Sequence, residues 1–161
     1  KGREDVFGCA KPGIFNIKEW IEVVRNNNIS KVVVLCEPHD YSDFINKIED
    51  EFGQTNVLRA TVKDYHLCEK ELLNEKIIPF IDEAIKLEEK VVVHCNAGYG
   101  RTGHVLAAWL YHNNRSLNVN EALQQVRGKG SQYCQRDPLE AVKSRHCTME
   151  ELEQLILSTR K

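Results

Sequence analysis

The stretch "VVVHCNAGYGRTGHVLAAWL", Val91–Leu110, holds two chemistries in one loop. An apolar β-branched run precedes it and a helical pattern follows. Gly98, Gly100 and Gly103 spell G-x-G-x-x-G, the dinucleotide-binding fingerprint. The same letters set Cys95 and Arg101 at the two ends of a loop, with five residues between them. The dinucleotide reading needs a further strand after the helix and an acidic residue about 20 positions on, to meet the ribose. The helix instead gives way to "NNRSLNVNEALQQVRGKG", polar and helix-like, with no β-branched run. Glu121, near the right distance, belongs to a predicted helix N-terminus. The fingerprint therefore stands alone and is set aside.

The thiol reading explains more of the letters. A loop running from a strand into a helix N-terminus aims several backbone N–H groups at one point, a ready anion site. Here those groups belong to Asn96, Ala97, Gly98, Tyr99, Gly100 and Arg101, and the glycines let the backbone close around a tetrahedral anion. Cys95 opens the loop, where the helix field and Arg101 both favour a thiolate over a thiol. The planar guanidinium of Arg101 can bind two phosphate oxygens at once, which a lysine cannot do. Taken alone, a cysteine ending "VVVHC" would be an ordinary buried strand residue. With Arg101, Thr102 and the glycines it becomes a nucleophile at the floor of a phosphate cradle.

The remaining chain supplies the frame. At 161 residues it suits one compact domain, 1–161, with a single sizeable core, and no repeat or linker divides it. Hydrophobic residues at 42% and charged residues at 29% describe a soluble globular protein. A net charge of −2 argues against general nucleic-acid binding, which draws on a surplus of Lys and Arg. No run approaches a membrane span, and "KGREDVFGCAKPG" lacks a signal peptide's apolar core. Six cysteines (Cys9, Cys36, Cys68, Cys95, Cys134, Cys147) without a C-x-x-C pair give no support for zinc. No metal or cofactor is expected, and the setting expected is a reducing cytoplasm, with the nucleus as an alternative.

"KEWIEVVRNNN" (Lys18–Asn28) predicts a helix with Trp20, Ile21, Val23 and Val24 on one side. "KVVVLC" (Lys31–Cys36) and "VVVHC" read as strands buried on both faces, and "NVLRATV" (Asn56–Val62) as another. "SDFINKIEDEF" places Phe44, Ile48 and Phe52 four apart, a helical spacing. Leu73, Ile77, Phe80, Ile81, Ala84 and Ile85 predict a long helix that Pro79 either kinks or delays. Thr102–His112 continues as a helix, and Asn118 with Glu121 and Thr148 with Glu151 fit capping boxes opening two more. Strands alternating with helices give an α/β fold with a central, mostly parallel sheet flanked by helices. Ligands in such sheets sit at the carboxyl ends of strands, where "HCNAGYGRTG" falls.

"HCNAGYGRTG" resembles the His-Cys-x5-Arg-Ser/Thr-Gly signature of the cysteine-dependent protein tyrosine phosphatases, and the whole chain is similar to their small dual-specificity branch. The resemblance implies that fold and a two-step reaction. Cys95 attacks phosphorus to give a phosphocysteine, while Arg101 and the loop amides hold the transferred oxygens. An aspartate about thirty residues before the cysteine protonates the leaving oxygen and then assists water; Asp64 in "RATVKDYHL" fills that slot. Glu69 and Glu71 are alternative acids, and His66 is a candidate for substrate contact or acid chemistry. Asp82 is assigned to the wet face of a helix. Thr102 resembles the hydroxyl that helps release the thiolate, and His94 the residue that orients the loop from behind, or else a satisfied core histidine. "VVVLCEPHDY" resembles the strand whose cysteine, here Cys36, forms a reversible disulfide with the nucleophile.

Two departures from the pattern bear on substrate. Phosphoinositide-type relatives carry lysines at the positions of Asn96 and Tyr99; Tyr99 instead offers an aromatic face at the rim or packs on the loop. "RDPLEAVKSRH" keeps Arg136, Pro138 and Glu140, but His146 stands where a water-positioning glutamine is expected. Arg127, Lys129 and Arg136 form either a basic rim or a solvated face. The leading expectation is a metal-independent phosphatase acting on phosphotyrosine, phosphoserine or phosphothreonine in a phosphoprotein partner. An RNA 5′-triphosphatase, a phosphoinositide phosphatase on phosphorylated lipid, and a non-catalytic phosphate-binding module are the alternatives.

Overall fold

The computed structural model describes residues 5–13, 16–41, 44–127, 130–131 and 134–160. Its centre is a four-stranded sheet built from β1 (Val6–Ala10), β2 (Ile29–Val34), β3 (Val57–Arg59) and β4 (Lys90–Cys95). The strands run in the order β1-β4-β2-β3, and every neighbouring pair is parallel. Parallel neighbours need long crossovers, which the helices between them supply. Glycine-bearing β5 (Gly130–Ser131) pairs antiparallel with β6 (Cys134–Gln135), apart from the main sheet. No strand among the described residues follows the signature helix into the main sheet, as a dinucleotide unit would require.

The β-branched runs form strands because both of their faces find helices. Val32, Val34 and Cys36, with Val92, face a layer holding α1 (Ile17–Asn26) and α3 (Ile45–Phe52), where Val24, Phe44, Ile48 and Phe52 are buried. One position over, Val33, Leu35, Val91, Val93 and Cys95 face the larger core. That core takes in Ile78 and Ile81 of α5 (Ile78–Lys86), Val105 and Leu106 of α6 (Gly100–Asn113), Leu123 of α7 (Val119–Val126) and Leu152 of α9 (Met149–Leu157). Each such side chain withdrawn from water contributes roughly 1.5–3 kcal/mol. Short helical turns α2 (Pro38–Tyr41), α4 (Lys70–Leu72) and α8 (Glu140–Lys143) line the carboxyl end of the sheet and its approaches.

Several boundaries move from those expected. Strand β2 ends at Val34, and Leu35 and Cys36 carry the chain out of the ladder. Strand β3 is only three residues long because a 3₁₀ turn, Gln54–Asn56, precedes it, although Ala60 and Val62 still donate backbone hydrogen bonds to Val34 and Leu35. Val23 is 56% exposed, so it lies outside the apolar stripe of α1. The helix through Pro79 begins early, at Lys70, and widens into a π segment, Leu73–Ile77, before α5. Proline lacks an N–H and crowds the carbonyl four residues back; a widened turn relieves both problems. Both capping boxes are present, at Asn118 with Glu121 and at Thr148 with Glu151. Ser42 and Asp43 of the "SDFINKIEDEF" helix lie outside the described residues. No helix among the described residues is long and apolar enough to cross a membrane.

Candidate active site

Strand β4 delivers Cys95 to the centre of the sheet's carboxyl edge, flanked by β1 and β2, with 2% of its surface exposed. The loop then turns within four residues into α6, which starts at Gly100. Gly98 sits at φ +69°, and a Cβ there would come within 2.5 Å of the Cys9 backbone. Gly100 and Gly103 are needed for a different reason: the segment Asp137–Glu140 presses on them, with the Glu140 carboxyl against Gly100 and the Pro138 nitrogen against Gly103. The glycine spacing therefore records a loop packed between β1 and the C-terminal segment.

Arg101 is buried, with 2% of its side chain exposed, and its guanidinium is shared out with care. Nη1 donates to the Val62 carbonyl at 3.1 Å and lies 4.0 Å from Asp40 Oδ2. Nη2 lies 3.0 Å from Asp64 Oδ1. Asp64 thus reaches the signature arginine from a separate loop, and its carboxyl is 41% exposed. The Asp64 loop is pinned from several sides. Its N–H donates to Glu37 Oε2 at 3.2 Å, Tyr65 N–H donates to its Oδ1 at 3.1 Å, and the His66 ring donates from Nδ1 to its carbonyl at 2.7 Å. Tyr65 takes φ +60° to make that turn. Glu69 and Glu71 stand exposed at the start of α4, and among the described residues the carboxylates within 4.0 Å of the guanidinium are those of Asp64 and Asp40.

The loop side chains are tied outward. Asn96 holds the Asp40 carboxylate, which this bond and the charges of His39, Lys11 and Arg101 keep below the usual carboxylate range despite burial. The Tyr99 hydroxyl donates to Asp137 at 3.4 Å, so it packs on the loop rather than offering a rim face. Thr102 is fully buried, and its hydroxyl has no hydrogen-bond partner among the described residues. His94 is wholly buried between Trp20 and Phe44, ring centroids 5.6 and 5.9 Å away. Burial pushes it down to about 4, against the pull of the Cys95 backbone, so it is neutral. Its Nδ1 lies 3.8 Å from Cys36 Sγ. Cys36, pushed up to about 12 by burial, is a free thiol two residues past the end of β2, the strand next to that of Cys95.

Three groups reach the site besides the signature residues and Asp64. His104 is buried and bridges the acid loop to α6. Its Nδ1–H donates to Gly100 O at 3.0 Å, and its Nε2 accepts the Cys68 N–H at 2.9 Å. Burial pushes it too down to about 4. Its position four residues after Gly100 was the only available hint. Asp40 and Glu140 arrive through tertiary packing, which no local spacing encodes. His146 is exposed and stacks on His66, ring centroids 4.1 Å apart. Arg136 donates to the Gly8 carbonyl and ties β1 to the C-terminal segment, so it is no part of a free basic rim. Lys129 lies outside the described residues. Asp82 accepts from His112 Nε2 at 2.9 Å on a part-buried face of α5, so it is engaged rather than simply solvated. Glu37, His39 and Asp40 could offer ligand atoms to a cation, but the Lys11 ammonium already stands 3.9 Å from Asp40.

A buried cysteine and arginine at the ends of one strand–loop–helix turn, with a carboxylate brought against the arginine, define a cysteine-dependent phosphatase site. The profile of the family described as "Polymorphic toxin system, DSP-PTPase phosphatase" matches residues 7–114, and the chain belongs to that family. Protein tyrosine phosphatase domain-containing protein 1 of Bos taurus is 26% identical over 141 residues, 78% of this chain and 17% of its own length. Dual specificity protein phosphatase Mpk3 of Drosophila melanogaster is 33% identical over 108 residues, 67% of this chain and 25% of its own length. The chain thus spans a quarter or less of these curated relatives. Among solved structures, Tk-PTP in its active form superposes with a TM-score of 0.72 at 30% identity, covering 96% of this chain and 93% of that one.

Proposed function

We propose that this phosphatase hydrolyses phosphomonoesters on proteins, at phosphotyrosine, phosphoserine or phosphothreonine, without a metal and through a phosphocysteine on Cys95. The carrying observation is the 3.0 Å approach of Asp64 to Arg101. In this reading Asp64 is the proton donor, beside the group that grips the phosphoryl oxygens. The Cys95 sulfur attacks phosphorus as the ester oxygen leaves with a proton from Asp64, and water then releases phosphate. Arg101 and the amides from Asn96 to Arg101 stabilise the charge spread over the transferred oxygens. Thr102, with its hydroxyl otherwise unpartnered, stabilises the departing thiolate in the second step. His94 supports the loop from the opposite face of the sheet. A reducing compartment such as the cytoplasm suits such a nucleophile.

The charges around the mouth favour a monoester over more highly phosphorylated substrates. Asp40, Asp64 and Glu140 all act electrostatically with Arg101, and the two loop positions that could carry extra cations hold Asn96 and Tyr99. An inositol phosphate or an RNA 5′-triphosphate brings several further negative charges to the same place.

The test is phosphate release from an aryl phosphate in EDTA, then from phosphopeptides. Cys95→Ser should abolish turnover, and Asp64→Asn should lower kcat about 10²-fold, the lower end of what a general acid contributes. Turnover that survives Cys95→Ser would overturn the reading. A preference for a triphosphate end, with indifference to Asp64→Asn, would move the assignment to the anhydride.

A further inference from the structure

An open groove of about 970 Å³ has the acid-bearing loop as one bank and α9, with the turn before it, as the other. His66, two residues after Asp64, lines it, held by the 2.7 Å bond between its ring and the Asp64 carbonyl and stacked on His146 of the opposite bank. Both banks are fixed before anything enters. The Cys68 N–H is bonded to His104, and the capping box of Thr148 and Glu151 sets the start of α9. Asn74 Nδ2 donates to Ser158 Oγ at 2.8 Å, which ties the end of α9 to the π segment. A groove formed in advance spares its occupant the cost of ordering the protein.

The lining is apolar at the floor and acidic at the edges. Leu67 comes from the loop bank, Leu155 and Leu157 from α9, and Leu157 keeps 43% of its surface in solvent while Leu152 and Leu155 of the same helix are buried. Glu150 and Glu151 line the α9 bank. Lys70 lines the loop bank, with the exposed Glu69 and Glu71 on either side of it in the chain. Each bank therefore carries a negative sum. Glu151 gives one oxygen to the Thr148 N–H and retains its charge. An exposed leucine between acidic edges is complementary to an apolar side chain with a basic neighbour, and it repels an acidic occupant.

A protein substrate must lay the residues flanking its phosphorylated side chain on surface beside the catalytic mouth, and this groove begins two residues from the acid. Resting on the reading of the substrate as a phosphoprotein, we propose that the groove is an exosite for that substrate. An extended flanking segment sets an apolar side chain against Leu67, Leu155 and Leu157, and a lysine or arginine beside Glu150 and Glu151. The substrate class is thus a phosphoprotein with a basic and apolar flank.

Phosphopeptides carrying a Leu-Lys pair, moved outward from the phosphoresidue one position at a time on either side, test this against an aryl phosphate too small to reach the groove. At the matching position kcat/KM should exceed that of a Ser-Ser peptide about tenfold, with the gain in KM rather than kcat. Glu150→Lys and Leu157→Glu should each remove the gain and leave turnover of the aryl phosphate unchanged; both side chains are exposed and tolerate the exchange. Glu150→Lys should recover it with a Leu-Glu peptide, and added salt should erode the charged part. Equal kcat/KM across the peptides, or a gain that survives both variants, would overturn the exosite. So would a wild-type dimer in sedimentation that Leu157→Glu dissociates, which would give the groove to a second copy of the chain. Failure of the underlying reading looks different: the aryl phosphate is turned over and no phosphopeptide is, or turnover survives Cys95→Ser, and the exosite falls with it.

Discussion

The backbone N–H of Cys68 donates to Nε2 of His104 at 2.9 Å, which fastens the end of the acid-bearing loop to the second turn of α6. The other ring nitrogen donates to Gly100 O, so one neutral imidazole sets the spacing between the Asp64 loop and the phosphate loop. His104→Phe fills the space but leaves a buried N–H without a partner, at a cost of about 1–3 kcal/mol. Thermal unfolding should show that loss. The kcat should fall more than phosphate affinity does, because the acid moves relative to an intact cradle. His104→Gln, which keeps an acceptor, should lie between Phe and wild type in both measurements.

His94 and His104 give the fold an acid limit. Burial lowers each from 6.5 to about 4, so between those values the unfolded chain binds protons that the folded chain refuses. Stability from both residues is fully present above about pH 6.5 and is lost as pH falls toward 4, roughly 3 kcal/mol per histidine at most. Urea unfolding at a series of pH values should show the midpoint falling across that window. A midpoint that stays flat between pH 7 and pH 4.5 would mean that these rings are charged or solvated in the native protein.

Cys95 ends β4 and Cys36 lies two residues past the end of the neighbouring parallel β2, both as free thiols, with the register pairing Val34 with His94. A Cys95 sulfenic acid formed by peroxide should be captured by Cys36 as a disulfide. Burial holds the Cys36 thiol up to about 12, so the capture should be slow at neutral pH and faster as pH rises, since the thiolate is the attacking species. Dithiothreitol should restore activity to the wild type but not to Cys36→Ser, whose nucleophile oxidises further. Peptide mapping that finds no Cys36–Cys95 link would rule this out.

The parts of the molecule legible in the sequence are those whose information is local. "VVVHC" reads as a doubly buried strand because Val92 and its neighbours Val91 and Val93 each find a helical layer. Cys95 and Arg101 are legible because one loop carries both. Asp64 is marked through the family resemblance, by its place about thirty residues before the cysteine, and the structure brings it to Arg101. Asp40 is silent, since it reaches the site from an element that another part of the chain holds in place; His104 lies on the signature helix and Glu140 in "RDPLEAV", yet nothing local marks the contacts they make. The same logic accounts for Pro79: nothing in its neighbours announces that a π segment would absorb it. Side-chain type leaves Tyr99 open between a rim face and packing on the loop, and Arg136 between a basic rim and a solvated face; both are engaged, with Asp137 and Gly8.

Strand β4 is bonded on both sides, to β1 from Val6 through Ala10 and to β2 from Ile29 through Val34. Its amides are shared in alternation between the two ladders, so freeing all of them means parting both. The protons on the Val92 and Val93 nitrogens should therefore exchange with deuterium only when the whole chain unfolds. The Asp64 loop is held by separate contacts to Glu37, Arg101 and His104 rather than by a ladder, and its amides can exchange through small excursions. The anchor of Cys95 and the perch of Asp64 thus keep different clocks: the first is as durable as the fold, while the second can swing on a far shorter one.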